Sequence, residues 1–152
     1  MWSVPPGTCP SYELYEGVTV DPTAAIVSAS GLLVLAGIIH AVRQLTRHGQ
    51  LDLNSAIGIR TKATQRSDAA WRIGHSAADP VLLAAAICGY GLGLSALGWA
   101  LVDLFTLGYG PGPLVLGLGG LVVTTTVVVL AAAKADSAAR AVPTTVSAEE
   151  LS

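Results

Sequence analysis

Residues 57–71, IGIRTKATQRSDAAW, hold the side chains of this sequence that are best suited to binding chemistry. Three of them are basic, Arg60, Lys62 and Arg66, and they alternate with threonine and serine hydroxyls ahead of a tryptophan. Guanidinium and ammonium groups beside hydroxyls can bind an anion such as a phosphate through charge-assisted hydrogen bonds. The segment is therefore a candidate anion site.

A short helix would position these groups. Ser67 is a good N-cap, and Asp68 is favourable in a first helical turn, so the sequence predicts a helix over about 68–78. Trp71 and His75 would then lie on one face of that helix. The basic residues and the hydroxyls of Thr61 and Thr64 would surround its positive end, and Gly58 ahead of them can adopt backbone angles that other residues cannot.

The rest of the chain is apolar. Of its 152 residues, 52% are hydrophobic and only 12% are charged, whereas a soluble domain carries about 25% charged residues. The sequence therefore predicts an integral membrane protein. With a net charge of −2 and no block of like charges, it predicts no nucleic-acid partner.

Three stretches lack Asp, Glu, Lys and Arg and are long enough to cross a bilayer, which takes about 20 apolar residues. Each follows an Asp-Pro or Gly-Pro pair, at 21–22, 79–80 and 112–113, and we expect a helix to open at each pair. The predicted fold is all-α, with three transmembrane helices and the short helix lying at the membrane surface with Trp71 as its anchor. The predicted segments are an N-terminal arm 1–22, spans 23–42, 80–102 and 113–133, a basic loop 43–79, a turn 103–112 and a polar tail 134–152.

Basic residues predict the orientation. Segments 1–22 and 103–112 contain none, the 43–79 loop contains six, and the tail contains the other two of the eight. Because Lys and Arg are enriched on the cytoplasmic side, the loop and the tail should be cytoplasmic and the N-terminus outside. The same loop would contact anionic lipid headgroups, and this simple electrostatic role is favoured over a specific anion site.

The predicted spans hold little polar chemistry. Transporters and proton relays need intramembrane carboxylates or paired charges, and His40 is the only titratable group in the first span. Cys9, Cys88 and the histidines show no metal-ligand spacing, and no catalytic triad or phosphate loop is visible. The sequence thus predicts no enzyme and no cofactor.

Small residues predict how the helices pack. Ala85, Gly89 and Gly93 recur every fourth position of the second span, which allows another helix to approach closely. Packing inside a three-helix bundle is favoured over a homodimer contact, and the oligomeric state stays open.

The loop motif resembles the signature of the SdpI family of small bacterial membrane proteins. The matching positions are Gly58, Arg60, Thr61, Thr64, Ser67, Trp71 and His75. Lys62 stands where the family usually has proline, so the turn after Thr61 is expected to differ.

This resemblance implies a non-enzymatic plasma-membrane protein that gives immunity to a membrane-acting peptide toxin. The outer segments 1–22 and 103–112 would then meet the toxin while the motif organises the inner side. The alternative function is an accessory subunit of a larger membrane complex, with the Pro-rich arm and the polar tail as docking segments.

Overall fold

The structure is a computed structural model that describes residues 20–50, 58–108 and 110–143. Within these ranges the chain contains only helices and turns. Each of the three long helices is apolar enough to cross a membrane, which confirms the predicted all-α membrane fold. The helices are α1 (Pro22–Arg47), α2 (Asp68–Thr106) and α3 (Gly112–Arg140), and a single 3₁₀ turn (Thr64–Arg66) precedes α2.

Several sequence predictions concern residues outside the described ranges. These are the N-terminal arm up to residue 19, including Cys9, and the tail beyond residue 143.

Two of the three predicted helix openings are observed. The Asp21 side chain caps α1 by accepting a hydrogen bond from the Thr23 backbone N–H at 2.8 Å, and Pro22 occupies the first turn. α3 starts at Gly112 with Pro113 in its first turn. Proline suits these positions because its ring presets the helical φ angle and the first-turn N–H groups have no partner within the helix.

The third predicted opening, at Asp79-Pro80, is wrong. α2 begins at Asp68, where the Ser67 hydroxyl caps it by accepting from the Ala70 N–H at 3.2 Å, and the helix then continues through Pro80. An internal proline removes one backbone hydrogen bond, and α2 continues past Pro80 without it.

Residues 68–78 are helical as predicted, but they form the first turns of α2 and are not a separate surface helix. A 39-residue helix is about 58 Å long at 1.5 Å per residue, whereas the bilayer core is about 30 Å thick. A helix of this length extends beyond the bilayer core, and the predicted 80–102 span would leave the first part of α2 outside it. This part packs on the end of α3, since a Cβ on Gly74 would lie 3.0 Å from the Ala135 carbonyl oxygen.

Alanine and glycine dominate the contacts between the helices. A Cβ on Gly89 would lie 2.9 Å from the Ala36 Cβ, and one on Gly93 would lie 2.7 Å from the Leu33 Cδ2, so both glycines face α1 of the same chain. Because lipid competes for apolar surface, close backbone approach rather than hydrophobic burial drives such packing. The fully buried alanines on the three helices are Ala29, Ala36, Ala70, Ala78, Ala85, Ala96, Ala100, Ala131, Ala135 and Ala139.

Candidate functional site

His75 lies at the centre of the loop motif. It is buried beside Trp71, with the two ring centroids 4.1 Å apart, because α2 places them one turn apart on one face. Its Nε2 accepts a hydrogen bond from the Ile59 backbone N–H at 3.0 Å, and its Nδ1 lies 2.9 Å from the Trp71 carbonyl oxygen. A neutral imidazole has one donor and one acceptor nitrogen, so these partners assign the proton to Nδ1.

Burial lowers the pKa of His75, although the hydrogen bond to the Trp71 carbonyl acts in the opposite direction. His75 precedes the predicted 80–102 span. The neutral form is therefore the one present at neutral pH, in agreement with the donor and acceptor pattern.

Gly58 closes the loop over these two rings. Its φ is +128°, and a Cβ at this position would lie 3.0 Å from the Trp71 ring and 3.1 Å from His75 Nε2. An L-residue would be strained in this conformation, and both rings would have to shift by a few tenths of an ångström to accommodate its Cβ. The glycine thus allows the backbone to reach the imidazole.

Two threonines hold the loop in a folded-back conformation. The buried Thr64 Oγ1 accepts from the Thr61 N–H and donates to the Ile59 carbonyl, both at 2.9 Å. In return, the Thr61 Oγ1 accepts from the Thr64 N–H at 3.1 Å. These bonds satisfy polar groups that would otherwise be buried without partners, and they fix Ile59 in the position from which it donates to His75.

Arg66 connects the loop to α3. Its Nη2 donates to the carbonyls of Ala139 and Val142 at 2.9 and 2.8 Å. The last carbonyls of a helix have no partner within the helix and carry partial negative charge. Arg66 therefore caps α3, whereas the sequence pattern had suggested that it lies at the positive end of α2.

Asp136 of α3 accepts hydrogen bonds from the loop, from the Thr61 side chain and the Ala63 backbone. Hydrogen bonds from the Thr61 hydroxyl and from Arg140 lower the pKa of this carboxyl, and partial burial opposes them. The Nε of Arg140 donates to the Asp136 Oδ2 at 2.7 Å. Asp136 could not be predicted from the sequence, because its partner Thr61 is remote in the chain.

The remaining motif residues lie at the start of the loop and of α2. Ser67 caps α2, and Lys62 is exposed. The Gln65 side-chain amide, with its oxygen turned toward Arg60, accepts from the Arg60 Nη2 at 2.9 Å. The positive end of α2 is thus satisfied by its own cap and by Asp68 in its first turn.

An ion pair that the sequence analysis missed connects α1 and α2 where the basic loop begins and ends. The buried Arg43 donates from Nη2 to the Asp79 Oδ2 at 3.0 Å, and its Nε lies 3.0 Å from Oδ1. A usable signal was present, because opposite charges flank the loop at the ends of consecutive spans. Asp79 was instead interpreted as a helix cap.

This arrangement holds helix ends together through hydrogen bonds. Within the described parts of the chain, no three His, Cys, Asp or Glu residues are grouped so that they could hold a metal ion. The motif brings Gly58, Thr61, Thr64, Arg66, Trp71 and His75 into one network that joins the loop, α2 and α3.

A comparison with protein families shows where this network lies relative to the family sequence. The sequence model of the SdpI/YfhL protein family matches residues 50–135, which is more than half of the chain. The chain belongs to the SdpI/YfhL family. The match includes the loop, all of α2 and most of α3, so the network lies largely within the part of the molecule that defines the family. No curated protein and no solved structure matches this SdpI/YfhL chain.

Proposed function

We propose that this SdpI/YfhL protein is a non-enzymatic immunity protein of the bacterial plasma membrane, which protects the cell from a membrane-active peptide toxin. The observation that carries the proposal is the family match over residues 50–135. The three membrane-crossing helices support it, because they place the protein in the layer that such a toxin attacks.

The 103–112 turn is the proposed outer surface for the toxin. Phe105 and Leu107 there are 84% and 72% exposed, and Asp103 lies beside them. Leu107 also has a left-handed φ of +57°, a conformation in which glycine is usual at a helix C-terminus. Its exposed side chain thus stands on a strained backbone position, and such positions are often found at binding sites.

The opposite, cytoplasmic surface is proposed to contact anionic lipid headgroups. Four of the eight basic residues, Arg43, Arg60, Arg66 and Arg140, are bound to groups within the protein. Arg47, Lys62, Arg72 and Lys134 are instead exposed around the ends of the helices. Each basic residue near an anionic surface contributes about 1 kcal/mol of attraction, which also supports the proposed orientation.

A deletion strain challenged with membrane-active peptides tests this proposal. We expect the strain to be hypersensitive, wild-type protein to restore resistance, and Arg60→Ala and Trp71→Ala to restore it less well than Arg140→Ala. Trp71 is buried, so membrane abundance of each variant must be measured in parallel. Equal protection by the three variants at equal abundance would mean that the motif has no role in function.

Purification from the native membrane in mild detergent separates immunity from the accessory-subunit alternative. Recovery of the protein alone or self-associated supports immunity. A partner recovered at fixed stoichiometry, together with normal peptide resistance in the deletion strain, would replace immunity with the subunit role.

A further inference from the structure

The loop of residues 58–66, which we call the latch, is held closed at a buried imidazole. We propose that this latch is proton-sensitive: it lies closed over α2 and α3 while His75 is neutral and opens when His75 takes a second proton. The inference does not depend on the proposed immunity function, since it rests only on the hydrogen bonds of described residues.

The two ring nitrogens of His75 have different hydrogen-bonding roles. In the closed state His75 Nε2 must accept, because it faces the Ile59 N–H at 3.0 Å. A second proton would add at Nε2 and turn this acceptor into a donor. Two N–H groups would then face each other in a buried position, where a lost hydrogen bond is costly. The Nδ1 proton on the Trp71 carbonyl would be unaffected, so the change is confined to the latch side of the ring.

The surrounding charges do not compensate for this new positive charge. The nearest carboxylate on the same helix, Asp79, is bound to Arg43 of α1, and Asp136 of α3 is bound to Arg140. These two carboxylates are thus already paired with arginines. The other charged groups on the latch and on the neighbouring turns of α2 and α3 are Arg60, Lys62, Arg66, Arg72 and Lys134, which are basic, and Asp68. Asp68 is exposed and lies two turns before His75, at the positive end of α2.

Latch opening would reach α3 through contacts that the latch itself makes. Thr64 accepts from the Thr61 N–H and donates to the Ile59 carbonyl, so movement of Ile59 loosens both residues. Arg66 lies two residues after Thr64, and it caps α3 by donating to the carbonyls of Ala139 and Val142. Protonation of one side chain would therefore expose the end of α3 as well as the ring of Trp71.

NMR of the full-length protein in lipid nanodiscs tests the inference. With ¹⁵N-labelled histidine, His75 should show the Nδ1–H tautomer at pH 7.5, and its signal is identified by comparison with His75→Gln. Amide exchange of residues 58–66 is measured from pH 7.5 to 4.5 and corrected for intrinsic pH dependence. The open state has the ordinary histidine pKa and the closed state a lower one, so between these two values opening should increase about tenfold for each pH unit of acidification.

His75→Gln is the matched control, because its side-chain oxygen can accept from Ile59 but cannot titrate in this range. We expect its latch to stay protected throughout. Gly58→Ala should open the latch even at pH 7.5 while amides in the centre of α2 stay protected.

Three results would overturn the inference. They are latch exchange that does not change where His75 titrates, the same pH dependence in His75→Gln, or a His75 that stays neutral until the whole protein unfolds. If one variant fails to fold, the wild-type protein still tests the inference, because His75 titration and amide exchange of residues 58–66 must change over the same pH range.

Discussion

At the scale of single residues, Gly58 is the position where side-chain size matters most. Its φ of +128° is rarely adopted by L-residues, and a Cβ would lie 3.0 Å from the Trp71 ring, which is closer than usual. We expect Gly58→Ala to lower the free energy of unfolding by about 1–3 kcal/mol, the usual cost of one strained backbone position. Reversible unfolding in mixed micelles would measure the change.

Gly119→Ala is the matched control for Gly58→Ala. A Cβ at Gly119 would meet nothing within 4 Å, and alanine is the better helix former. This variant should therefore be at least as stable as the wild type. A Gly58→Ala protein with wild-type stability would show that the loop can close without glycine.

At the scale of elements, the Arg43–Asp79 ion pair connects α1 to α2. The Arg43 side chain is 8% exposed and that of Asp79 is 28% exposed, so removal of either partner leaves a poorly solvated charge. We expect Arg43→Ala to destabilise the bundle by about 3 kcal/mol, within the range for a broken buried pair. Urea or dodecyl sulfate titration would measure it.

Replacing both Arg43 and Asp79 with apolar residues distinguishes the contribution of the ion pair from that of side-chain packing. In Arg43→Met with Asp79→Leu, no charge is left without a partner, so most of the lost stability should return. Arg140→Ala, which breaks the exposed pair with Asp136, should change stability little. If the double variant were less stable than Arg43→Ala, specific charge pairing would be required for α1 to dock.

At the scale of the whole molecule, the distribution of basic residues predicts the orientation in the membrane. In a background with Cys9 and Cys88 replaced by alanine, we expect Gly108→Cys to react with a membrane-impermeant maleimide on intact cells. Lys62→Cys should react only after permeabilisation, because the positive-inside rule places the 43–79 loop in the cytoplasm. Both introduced residues occupy exposed positions, so access to the thiol is not limited by packing. Labelling of Lys62→Cys on intact cells would reverse the proposed topology.

Much of the molecule could be predicted from its sequence because the decisive signals are local. Each span is a continuous apolar run, and insertion depends on composition over about 20 residues. The caps at Asp21 and Ser67 are also local, since each involves a residue two or three positions away. The pairing of Trp71 with His75 follows from helical periodicity alone.

Contacts between distant parts of the chain could not be predicted in this way. Arg43 and Asp79 are 36 positions apart, and Arg66 and Ala139 are 73 apart. A local pattern assigned Asp79 to a helix start, where Asp is a good N-cap, and Arg66 to an anion site at the positive end of the 68–78 helix. The preference for the remote partner depends on which helix ends the bundle brings together.

The sequence by itself therefore determined the membrane class, the three spans and the family-defining loop, since composition, periodicity and motif residues are properties of short segments. Only the tertiary structure decided that α2 continues through Pro80, that His75 receives the Ile59 N–H and that Arg66 caps α3. The physical reason is that helix packing through Ala and Gly residues sets the distances between helix ends. Those distances determine which polar groups can satisfy one another.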